Sequence, residues 1–184
     1  MQPKNYSATD VLEFWFDELK PKQWWLVDKE LDALIANRFT ALHRQAAACE
    51  LFHWRATPEG RLAEIIVLDQ FSRNIYRNTP RAFGQDPLAL SLAQQAVAQN
   101  TMAQLLPRQA PFLLMPYMHS ESAVIHTHAL NLFQQLGSAD NVKFELRHKA
   151  IIDRFGRYPH RNKILGREST EEEREFLQQP GSSF

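Results

Sequence analysis

Thr57-Pro58-Glu59-Gly60-Arg61-Leu62-Ala63-Glu64-Ile65-Ile66-Val67-Leu68-Asp69-Gln70-Phe71-Ser72-Arg73-Asn74-Ile75-Tyr76-Arg77 carries the helical signals from which the fold class follows. Thr57 and Pro58 supply an N-cap and a proline at the first helical position, where a missing N–H removes nothing that the helix uses. From Leu62 to Leu68 only Glu64 is polar, and a helix that is apolar nearly all round has to be enclosed by other helices. The spacing predicts a central helix over about 58–76. Its second half turns polar, with Asp69 and Arg73 at i,i+4 and Arg77 extending the row. Two readings stay open there. The charges form an ion-pair network locking the helix to its neighbours, or a carboxylate is held ionised beside arginines that face a cleft, an arrangement able to position an anion or a proton.

The helical signals continue on both sides of this segment. Ser7, with Asp10 three residues on, opens an apolar segment that Pro21 ends. Asp28 is a good N-cap for a stripe made by Leu31, Leu34, Ile35, Phe39 and Leu42. Asp86-Pro87 repeats the start signal of Thr57-Pro58, and that helix is expected to end near Asn100. Pro107, Pro111 and Pro116 predict a loop with at most a short helical turn. Glu121 to Leu136 is periodic and stops at Gly137, and Ala139 to Phe155 is closed by Gly156. A polar loop over 157–167 leads to Ser169-Thr170-Glu171-Glu172, which starts a last short helix. These signals predict an all-α single domain over 1–184, with about seven helices packed around the central one and no strand.

Composition narrows the function classes. The 184 residues hold 21 Lys plus Arg against 21 Asp plus Glu, which disfavours nucleic acid or an acidic membrane as a whole-chain partner. One cysteine, Cys49, excludes a disulfide framework and a multi-cysteine metal site, and its run of preceding alanines suggests a packed thiol. The opening residues lack the apolar core of a secretory signal, and no window approaches the roughly 20 apolar residues of a membrane helix. A cytoplasmic chain with no membrane contact is expected; the oligomeric state is not legible.

Two further polar patches flank the central one. Pro111 to Met118 is apolar and runs into His119-Ser120-Glu121-Ser122, which is read either as an anion-attracting helix start or as a simple cap at Ser120 with Glu121 favouring the dipole. Arg154-Phe155-Gly156-Arg157-Tyr158-Pro159-His160-Arg161-Asn162 gathers cationic and aromatic groups in a loop. Residues 143–167 hold eight basic side chains against two acidic ones, and 168–175 hold five Glu and one Arg, so these segments either pair or leave an electropositive face. Arginine outnumbers lysine 14 to 7, which favours forked recognition of carboxylate or phosphate. Glu50-x-x-His53 and Glu145-x-x-His148 match the step used by di-iron bundles, but the composition produces such steps by chance, so no metal and no cofactor is expected. Trp24-Trp25 reads as a lid over a helix junction or as an exposed recognition pair.

The chain resembles the bacterial family known as domain of unknown function 924. The resemblance rests on Val11-Leu12-Glu13-Phe14-Trp15-Phe16, Leu68 to Arg77, Asp86-Pro87-Leu88-Ala89-Leu90, Met115 to Glu121 and Arg154 to Asn162. It implies a tetratricopeptide-like all-helical array and brings no established activity. The motifs coincide with the polar patches, and three functions follow as expectations. The first is a groove in which Asp69, Arg73, Arg77, His119, Arg157, His160 and Arg161 hold an anionic small molecule or a peptide carboxylate. The second is an enzyme using His119 or His160 as general acid/base, with Glu121 or Asp69 as orienting carboxylate and the arginines as electrostatic stabilisers. The third is a structural protein–protein adaptor.

Overall fold

The computed structural model describes residues 5–183. The first four residues of the opening segment, read above for a secretory signal, lie outside the described residues. The chain is all-helical: the described residues form ten α segments with short 3-10 and π turns, and no strand occurs among them. They gather in two compact units, one from the described parts of Met1–Arg77 and Arg81–Pro116, the other from those of Asn78–Pro80 and Tyr117–Phe184.

In the first unit, α1 (Ala8–Glu13) opens with a capping box between Ser7 and Asp10 and runs on into a π turn, Phe14–Glu18. The Asp28 carboxylate accepts the N–H groups of Glu30 and Leu31 and starts α2 (Lys29–Ala47). Leu31, Ile35, Phe39 and Leu42 are buried, whereas Leu34, expected on the same stripe, is 44% exposed. Thr57 caps α3 (Pro58–Ile66) through the Gly60 N–H at 3.1 Å. The central helix then widens into a π turn, Val67–Phe71, before closing as α4 (Ser72–Ile75). Every residue from Leu62 to Ser72 is buried. A π turn inserts one residue, so side chains beyond it are rotated by about 100° from where an unbroken 3.6-residue period puts them.

Three local expectations are corrected in this part of the chain. Helix α5 (Asp86–Ala98) includes Asp86 as its first residue, with Gln85 at the cap position, because the Asp86 carboxylate is engaged by Arg73. The proline-rich stretch is helical, α6 (Ala110–Met118). Pro111 sits in the first turn, where its lack of an N–H is harmless, whereas Pro116 lies inside the helix and costs it one i→i−4 hydrogen bond. Burial of Phe112, Leu113, Leu114, Met115, Tyr117 and Met118 outweighs that loss. Cys49 is exposed rather than packed, since α2 has ended and the residue turns the chain at φ 59°.

Phe39 ties the core together, with ring centroids 5.0 Å from Phe14 and 4.8 Å from Phe71, while Trp15 lies 5.7 Å from Phe71. Of the tryptophan pair, Trp24 is the lid: it stacks on Trp15 and donates its indole N–H to the Trp15 carbonyl at 2.7 Å. Trp25 is 61% exposed and stacks on Phe112.

The second unit holds α7 (Ala123–Gln135), α8 (Ala139–Phe155), α9 (Asn162–Leu165) and α10 (Glu171–Phe176). Gly137 at φ 72° and Gly156 at φ 68° end α7 and α8 in the left-handed conformation that glycine adopts without cost. Thr170 and Glu173 form the capping box of α10. Helix α7 starts at Ala123, two residues after the expected Glu121, so His119 to Ser122 precede it. Ile151, Ile152 and Tyr158 make a small core with Phe155 and Phe176 packed against it.

Candidate functional site

The polar end of the central helix lies in the first unit and is a saturated network. Asp69 is 1% exposed, and Arg73 sits 3.2 Å from its carboxylate while donating to the Asp69 carbonyl at 2.9 Å. The same guanidinium forks onto Asp86 at 2.9 and 3.1 Å. Arg77 does not continue the row toward Asp69; it forks onto Asp32 at 2.5 and 2.7 Å, and Asn74 donates to that carboxylate at 2.8 Å. Each of these two guanidinium groups already faces a carboxylate, the bidentate geometry that arginine makes best.

Beside this network the first unit holds a concavity of about 340 Å³, within the usual size of small-molecule sites. His43, from α2, and Tyr76, at the end of α4, line it together with Arg44, Arg81 and Gln85. His43 is 3% exposed and lies edge-on to Tyr76, with ring centroids 5.1 Å apart. Its Nε2 is 2.7 Å from the Ser72 hydroxyl, which donates its only proton to the Leu68 carbonyl at 2.5 Å. Ser72 must therefore accept from Nε2–H, which fixes the tautomer and leaves Nδ1 without a proton. Ser72 has no exposed surface and no free proton, so it is no nucleophile. Burial, helped by the charge of Arg81, lowers the His43 pKa to about 4 and keeps the ring neutral.

Arg81 lies over the Tyr76 ring, 3.9 Å from its centroid, and donates to the Tyr76 hydroxyl at 2.9 Å. Among the described residues neither Arg81 nor Arg44 faces a carboxylate, in contrast to Arg38, Arg55, Arg73, Arg77, Arg154, Arg157 and Arg167. Sequence reasoning missed this concavity. A histidine following Leu42 on the buried face of α2 was a usable signal, but the π turn that brings Ser72 beneath it has no sequence signature.

The second unit gathers the two histidine-bearing motifs around Tyr158. His126, His148 and His160 lie 6.3, 5.9 and 5.6 Å from its ring. Arg161 covers the same ring at 4.6 Å and donates to the His119 carbonyl at 3.0 Å. His119, Glu121 and His160 are half-buried, and Arg161 is buried. Glu121 accepts both arms of Arg167 at 2.7 and 2.9 Å and the Tyr158 N–H at 2.7 Å. Burial works to raise its pKa, but these donors and the charge of Arg161 outweigh burial and hold it below the usual carboxylate range. Arg157 turns instead to Glu173 at 2.6 and 2.8 Å, and this pairing depresses the Glu173 pKa to about 2. The basic loop and the acidic last helix thus pair with each other.

Beneath that rim lies a buried dyad. His126 Nδ1 is 2.7 Å from Glu145 Oε1, and both side chains have no exposed surface. His126 Nε2 faces the Ser120 carbonyl at 2.9 Å and the Tyr158 hydroxyl at 3.2 Å; since that hydroxyl donates to the Met118 carbonyl, Nε2 carries the proton given to both oxygens. Burial raises the Glu145 pKa above the usual carboxylate range, against the pull of the neighbouring His126. His148 donates Nδ1–H to the Phe144 carbonyl at 2.8 Å, and burial lowers its pKa to about 3. Glu145 therefore serves His126 and not the His148 of its own Glu-x-x-His step. Among the described residues no group of three or more His, Cys, Asp or Glu is arranged to hold a metal ion.

No described helix is long and apolar enough to cross a membrane. Among solved structures the chain is similar to a protein of unknown function, ATU0120 from Agrobacterium tumefaciens. The two share 35% identity and a TM-score of 0.89 over 93% of this chain and 96% of that one. No curated protein matches the chain. A family model described as bacterial protein of unknown function (DUF924) matches residues 11–181, and the chain belongs to that family.

Proposed function

We propose that the chain binds a small anionic molecule or a peptide carboxylate in the concavity lined by His43, Arg44, Tyr76, Arg81 and Gln85. The observation that carries this reading is the pair of guanidinium groups, Arg44 and Arg81, that line one hollow without a carboxylate among the described residues. Like charges held together favour an anion as the missing counter-charge. The end of α2 nearby contributes about half a negative elementary charge, which two full positive charges outweigh. Asp69, Arg73 and Arg77 frame the hollow in this reading by fixing the helix that carries Ser72 and Tyr76. Nitrogen-15 NMR titration with propionate at low ionic strength tests it. The expected result is saturable shifts in the backbone amides of Arg44, Tyr76, Arg81 and Gln85, lost in the Arg44→Gln/Arg81→Gln variant. An unmoved spectrum at tens of millimolar propionate overturns it.

A second reading is favoured by the ring of histidines about Tyr158. His119 or His160 acts as general acid/base at the rim of the second unit, with Glu121 as the orienting carboxylate, and His119, His160 and Arg161 hold an anionic substrate. Loss of a turnover in both His119→Ala and His160→Ala, with melting temperatures unchanged, supports it. Turnover unaffected by either substitution sinks it.

A further inference from the structure

The chemistry of the His43 ring narrows the ligand beyond its charge. Nε2–H is committed to Ser72, whose own proton is committed to Leu68, so the ring cannot exchange tautomers without breaking both bonds. His43 lines the concavity, and Nδ1, which has no partner among the described residues, is the ring atom left for a bound molecule. A bare imidazole nitrogen accepts and does not donate. A plain carboxylate seated on Arg81 leaves that acceptor desolvated and unsatisfied, which works against binding.

Resting on the anion reading above, we propose that the concavity between His43, Tyr76 and Arg81 takes a small hydroxycarboxylate, its carboxylate on Arg81 and Arg44 and its hydroxyl donating to His43 Nδ1. The alternatives of similar size are disfavoured by charge. An amino acid presents an ammonium as its donor, which two guanidinium groups repel, and a simple fatty acid presents no donor at all. Gln85 and the Tyr76 hydroxyl supply further polar edges for a molecule with more than one hydroxyl.

The test compares lactate, isobutyrate and L-alanine by NMR titration of the wild-type protein, because isobutyrate replaces the hydroxyl by a methyl group of similar size. Lactate is expected to bind about tenfold more tightly than isobutyrate, the worth of roughly one hydrogen bond, and alanine not at all. Long-range proton–nitrogen spectra give an independent readout that needs no variant. Lactate should shift the His43 Nδ1 resonance by a hydrogen-bond increment while Nε2 stays protonated. Equal affinities for lactate and isobutyrate, or an unmoved Nδ1 resonance, overturn the hydroxycarboxylate proposal but leave anion binding standing. Absence of any saturable shift with all three overturns both.

Discussion

Glu64 has no exposed surface, and both its carboxylate oxygens accept from Arg55 at 2.7 Å. Arg55 retains 27% of its side-chain surface in water. The pair is therefore asymmetric. Arg55→Ala strands a buried charge, whereas Glu64→Gln leaves a guanidinium that hydrates at small cost. Urea denaturation should show Arg55→Ala losing about 3 kcal/mol and Glu64→Gln about 1 kcal/mol, following the penalty for an uncompensated buried charge. Equal losses would show that the attraction between the groups, and not desolvation of Glu64, sets the energy. The same distinction sorts the arginines by function. Arg73 and Arg77 are held by Asp86 and Asp32, so replacing them disturbs structure first, while Arg44 and Arg81 face no carboxylate among the described residues.

The helices were legible in the sequence wherever capping chemistry and periodicity agreed. Asp28 and Thr57 start helices as expected because their side chains accept backbone N–H groups no other partner reaches, whereas the last helix starts with a box of Thr170 and Glu173, one residue beyond the expected Ser169-Thr170-Glu171-Glu172. The two π turns were not legible, since they follow from tertiary packing of Phe14 and Phe71 and leave no mark in residue order. The polar motif from Leu68 to Arg77 was recognised but its partners were not: Asp32 and Asp86 come from other helices, and i,i+4 spacing reveals only the Asp69–Arg73 contact. Gly60 was likewise silent in the sequence. A Cβ there would meet the Trp54 carbonyl oxygen at 1.9 Å, within backbone that has little freedom to move. Gly60→Ala should thus destabilise by about 1–3 kcal/mol as an overpacked contact, although alanine is the better helix former by roughly 1 kcal/mol. A thermal scan in which this variant melts above the wild type would mean that the 3-10 turn Phe52–Ala56 shifts freely.

Across the whole molecule, each unit carries a buried neutral imidazole: His43 in the first and His148 in the second, with pKa values lowered from 6.5 to about 4 and about 3. In the unfolded chain both take up a proton near pH 6.5, whereas the folded chain resists. Their contribution to stability is full above pH 6.5 and is lost as pH falls, down to about 4 for His43 and about 3 for His148. Each should add roughly 1 kcal/mol per pH unit to the slope of unfolding free energy in that window. The depressed carboxyls of Glu121 and Glu173 act the same way at lower pH, below the ordinary carboxylate value of 4.5, and the raised carboxyl of Glu145 opposes them, its contribution being lost as pH rises through its folded value. Between pH 6.5 and 5 the imidazoles therefore dominate. Urea unfolding at pH 7.0, 6.0 and 5.0 should show stability falling with acidity, and His148→Gln should flatten that fall by up to one proton's worth while lowering stability at pH 7. A slope unchanged by His148→Gln would mean that this histidine charges within the folded unit, and that its hydrogen bond to the Phe144 carbonyl does not hold it in a dry environment.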